Sequence, residues 1–131
     1  MEKITNQKRI EIEQEYSSNI KKVDKQLNEL RNYKKDLEEY EQTIYDTFNE
    51  IKREFDNTLQ EYIKEGATSD LKEIDNMIDV LLSDFRQAKA SVENELDYVE
   101  HEEKSALSEK RHIEEQFKHE IANLSRKEET L

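Results

Sequence analysis

Apolar side chains recur along the first half of the chain at Tyr16, Ile20, Val23, Leu27, Leu30, Tyr33 and Leu37. The row continues through Tyr40, Ile44, Phe48, Ile51, Phe55, Leu59 and Tyr62. Every step is three or four residues, and 46 residues covered in 13 steps give 3.54 per step. That falls between the coiled-coil repeat of about 3.5 and the straight-helix value of about 3.6. The second half behaves alike: Leu71, Ile74, Ile78, Leu81, Phe85, Ala88, Val92, Leu96 and Val99 form one row, and Ala106, Ile113, Phe117, Ile121 and Leu124 extend it. Glu103 and Lys110 put charge where the stripe expects an apolar group, so there it either weakens or faces water or a partner. No proline breaks either run. The pattern predicts two long helices and no strand.

Between the runs lies Lys64-Glu65-Gly66-Ala67-Thr68-Ser69-Asp70. Gly66 follows the last apolar position of the first run, where a left-handed C′ residue ends a helix at little strain. Asp70, with Glu73 three residues on, reads as an N-cap and capping-box partner, with Ser69 as the alternative cap. The expected organisation is one helical-hairpin domain over 1–131, with helix one at about 5–64, a turn at 65–69 and helix two at about 70–127. So short a turn makes the helices antiparallel, with arms of about 85–90 Å.

Folding back at 66–67 pairs residues whose numbers sum to roughly 133. Phe48 then meets Phe85, Leu27 meets Ala106, and Tyr16 meets Phe117. Charge agrees: residues 91–103 hold six acidic side chains and no basic one, opposite Arg31, Lys34 and Lys35. If Phe48 and Phe85 face each other in a closed seam, truncating either to alanine is expected to cost about 3–5 kcal/mol.

A net charge of −12 with 41% charged and 33% hydrophobic residues is otherwise the signature of disorder, and the periodicity decides for helix. One glycine and no proline cannot supply the turns of a sandwich or barrel. Without cysteine there is no disulfide framework, thiolate metal site or cysteine nucleophile. The acidic balance argues against nucleic acid. No stretch is apolar enough to span a membrane, and the N-terminus lacks a signal peptide's apolar segment, so the expected location is cytoplasmic.

Catalytic chemistry finds little to build on. Glu109 and His112 make one Glu-x-x-His, of which di-iron bundles use two along with further glutamates. Glu115 and His119 lack a third ligand. A lone glycine forms no phosphate loop. The expectation is no enzyme, no cofactor and no metal.

A two-helix seam leaves most of each helix wet. Tyr45, Phe48, Ile63, Met77, Val80 and Leu82 widen the apolar stripe near the turn. They read either as scattered surface residues or as part of a second face that buries against another helical chain. The second reading makes them the candidate partner-binding residues.

The segment Glu93-Asn94-Glu95-Leu96-Asp97-Tyr98-Val99-Glu100-His101-Glu102-Glu103, followed by Lys110-Arg111-His112-Ile113-Glu114-Glu115, has a charged, tyrosine-containing second-helix character. With the size, acidity and hairpin pattern, it resembles the ESAT-six-like (WXG-type) superfamily of type VII secretion, and more narrowly the small accessory proteins that accompany LXG toxins. The superfamily's Trp-x-Gly turn is here Glu65-Gly66-Ala67-Thr68, matching at the glycine alone. Tyr98 and Glu102 fit its aromatic-x-x-x-acidic export motif, although mid-helix, where a solvated Tyr–Glu pair reads the same way. The resemblance implies an accessory or targeting subunit, chaperone-like, that packs against the helical N-terminal domain of an LXG toxin, with a second small hairpin protein and export alongside its partner. The alternative is a structural coiled-coil scaffold or self-assembling rod, most simply a homodimer.

Overall fold

The computed structural model describes residues 2–66 and 71–129, with side chains placed for 5–66 and 71–127. Two helices account for it: α1, Glu2–Glu65, and α2, Leu71–Glu129. They pack antiparallel, giving an all-α helical hairpin. Helix α1 runs slightly beyond the expected stretch at both ends, and α2 beyond it at the C-terminal end. Helix α1 closes at Gly66, whose φ is +74° and whose N–H donates to the Ile63 carbonyl at 3.2 Å. That is one of the two hydrogen bonds of a Schellman close, and glycine adopts its backbone without a Cβ penalty. Lys64 in the last turn of α1, and Arg126 and Lys127 in that of α2, oppose the partial negative charge of those ends; Glu73 suits the start of α2. The remaining turn residues Ala67–Asp70, including the expected caps Ser69 and Asp70, lie outside the described residues.

The chain's contacts divide it into two compact units, Met1–Tyr33 with Val99–Leu131, and Lys34–Tyr98. In the first, Val23, Leu27 and Ala106 form a buried cluster against which Leu30 and Ile113 pack. Val99 and Leu124 are also buried. The small Ala106 beside Val23 and Leu27 leaves little between the two helices to hold them apart, so the seam closes. Tyr16 stacks on Phe117, ring centroids 4.2 Å apart, in the expected register. The two charged interruptions of the α2 stripe form ion pairs with α1. Lys110 Nζ lies 2.8 Å from Asp24 Oδ1, and Glu103 Oε1 lies 3.7 Å from Arg31 Nε. Each pairs across the seam, on either side of Ala106, while staying partly open to water.

In the unit Lys34–Tyr98, Phe48 stacks on Phe85 with centroids 4.2 Å apart and planes 22° apart. Ile74 and Val92 are its only buried apolar side chains among the described residues. The other large residues of its seam are only half-buried, and Tyr40 is 57% exposed. The more aromatic stretch of the hairpin is thus the less completely covered one.

Candidate functional site

Two hollows open along one side of the seam in the unit Lys34–Tyr98. One is lined by Tyr40, Ile44, Thr47, Phe48, Leu81 and Phe85, among others; the second, toward the turn, by Phe55, Thr58, Tyr62, Ile74 and Met77. Ile51 lines both, so the two adjoin, and together they form the candidate groove. From Tyr40 to Tyr62 along α1 it runs about 33 Å. Its floor is the seam itself: Ile44, Phe48, Ile51 and Phe55 of α1 alternate with Leu81 and Phe85 of α2, as a spacing of three or four places them.

The groove stays open because of what meets at its floor. Two stacked phenyl rings hold the backbones further apart than an alanine–leucine contact does, and while Tyr45 covers Phe85 on one side, the hollow opens on the other. Tyr16 and Phe117 behave alike in the other unit, where they border a smaller hollow with Ile12 and Ile113. Threonines line the α1 edge of the groove. The hydroxyls of Thr43 and Thr58 donate to the carbonyls of Glu39 and Glu54, at 3.0 and 2.9 Å. Such back-bonding to the preceding turn satisfies those donors internally, so they demand no polar ligand.

The six partner-binding candidates do not form one face. Phe48 belongs to the hairpin's own seam and to the groove floor. Met77, 55% exposed, lines the groove at its turn end. Tyr45 meets Phe85 edge-on, with centroids 5.3 Å apart and planes 73° apart, and Lys89 Nζ stands 5.6 Å from its ring centre. The hydrogen bond to Tyr45 and electrostatic attraction to it, aided by Glu93, raise the Lys89 ammonium above the ordinary lysine value. Leu82 lies in a separate hollow with Asp79, Arg86 and Ala90, on α2 alone. Ile63 and Val80 are more than half exposed and line none of these hollows. Of the export-motif pair, Tyr98 is 59% exposed and Glu102 half-buried.

Of the groove residues, Thr43, Thr47 and Thr58 lie outside the stripe, while the sequence placed Tyr40, Ile44, Ile51, Phe55, Tyr62, Ile74, Leu81 and Phe85 in the stripe but not among the partner-binding candidates. Their spacing marks them as seam, and a seam position reads as internally paired. The available signal is side-chain size: aromatic facing aromatic marks a seam that two helices cannot seal.

No three histidine or acidic side chains among the described residues are grouped so as to hold a metal ion. No described helix is long and apolar enough to cross a membrane. No family model, curated protein or solved structure matches the chain.

Proposed function

We propose that the chain is a non-catalytic binding protein that accepts an apolar helix of another protein along the Phe48–Phe85 groove, completing a helix bundle. One observation carries the reading: the unit richest in aromatic seam residues leaves them only half-buried beside two adjoining apolar hollows. Burying such a groove removes apolar area from water at about 25 cal/mol per Å², and an amphipathic helix of about 22 residues matches its length. The resemblance noted above supplies the occupant, the helical N-terminal domain of an LXG toxin, with a second small hairpin protein beside it. In that setting the chain acts in the cytoplasm as an accessory or targeting subunit, and Tyr98 and Glu102 mark its side of an export signal.

Co-expression with the helical domain of an LXG toxin encoded in the same neighbourhood tests this. The expected result is a stoichiometric complex on size exclusion and a melting temperature that rises with partner concentration, as mass action requires. A chain that ignores the toxin domain and instead forms a stable homo-oligomer would replace the accessory reading with the scaffold one.

A further inference from the structure

The groove has edges of one sign. Glu54 and Glu73 line its turn end and Asp84 its other end; no lysine or arginine lines either hollow. On α1, Glu50 and Glu61 fall four residues before and seven after Glu54, and therefore on the same edge. On α2, Glu73, Met77 and Asp84 share a stripe by the same spacing. Basic groups sit elsewhere: Arg86 lines the hollow beside Leu82, and Lys89 sits over Tyr45. Lys52 and Lys72 fall on that other flank by helical spacing. Glu54, Glu73 and Asp84 make no ion pair among the described residues, so the negative edge is not neutralised within the chain.

The geometry points to an occupant of stated chemistry: a helix from a different protein whose apolar stripe is bordered on both sides by lysine or arginine. This rests on the docking reading above and adds the selection rule. Apolar burial in the channel supplies attraction without discrimination, whereas opposite charges along the edges fix which helix enters and in what register. A second copy of this chain is the wrong occupant. Face-to-face pairing through the same groove would set Glu54, Glu73 and Asp84 against their own equivalents while removing water between them.

Two synthetic helical peptides of about 22 residues, long enough for the groove, test the rule against the full chain. They share one leucine stripe and differ only in carrying lysine or glutamate along its edges. Fluorescence anisotropy at low salt is expected to give the lysine-edged peptide at least about tenfold tighter binding. The preference should shrink at about 1 M salt, where screening acts over roughly 3 Å. The double variant Glu54→Lys, Asp84→Lys should reverse it. Glu11→Lys with Glu115→Lys changes net charge equally at exposed positions outside the groove, and should leave the preference in place. Equal binding of both peptides overturns the charge rule and leaves the docking groove standing. Binding of neither overturns both. Equal effects of the two double variants reduce the preference to net charge and overturn the rule. A homodimer abolished by Glu54→Lys, Asp84→Lys would also overturn it, by making a second copy the occupant.

Discussion

Gly66 holds a backbone conformation, φ +74°, that L side chains rarely adopt, yet a Cβ built there meets nothing within 4 Å. Replacing it therefore crowds no neighbouring side chain. Gly66→Ala should lower stability by about 1–2 kcal/mol through the left-handed backbone alone, and Gly66→Asn by less, because asparagine tolerates that region. Urea melts of both variants give the comparison; equal losses would show that packing, not backbone, sets the requirement. Lys110 poses a second residue-scale question. Its hydrogen bond to Asp24 and that carboxylate's charge raise its pKa above the ordinary lysine value. A raised folded-state pKa contributes stability that is fully present below the unfolded pKa and is lost as pH climbs through the folded one. The melting-temperature gap between the wild type and Asp24→Asn should thus be constant through neutral pH and narrow from about pH 10 upward. A gap that widens there would reverse the assigned sign.

Each seam answers to the size of the side chains that meet in it. Leu27 is 3% exposed in the Val23–Ala106 cluster, so Leu27→Ala should cost about 2–5 kcal/mol. Phe85 is only half-buried, and the cost of Phe85→Ala in the free chain falls to about 1–2 kcal/mol, below that expected for a closed seam. Thermal or urea melts of the two variants should rank them in that order. A larger loss for Phe85→Ala would mean that its groove is already closed in the free protein. The stripe spacing, the stop at Gly66 and the pairing of Tyr16 with Phe117 and Phe48 with Phe85 were legible in the sequence, because they depend on period and register. Depth of burial was not, because spacing tells which residues meet and not how far apart their bulk holds the helices. Glu103 and Lys110 escaped for a related reason. Hydropathy registers them as defects in a stripe, while their partners Arg31 and Asp24 become visible only once both helices are placed.

The chain as a whole carries a net charge of −12, and such a surplus slows association with acidic partners while leaving the choice among basic ones open. Selection has to come from where the acids stand relative to exposed apolar surface. Met77 and Leu82 separate the possibilities, since both are apolar flank residues of α2 but only Met77 lines the acid-edged groove. Met77→Lys puts an ammonium on the acidic edge between Glu73 and Asp84, facing the lysines of the docking peptide. It should weaken binding of the lysine-edged peptide at least about tenfold, through like-charge contact across the edge. Leu82→Lys adds the same charge in the hollow with Arg86, outside the groove, and should leave binding within about twofold, as surface substitutions away from an interface do. Helicity by circular dichroism should hold in both variants, since neither side chain is buried. Equal weakening by the two would mean that the partner wraps both flanks of α2, and the groove bordered by Glu54, Glu73 and Asp84 would then be one part of a larger contact.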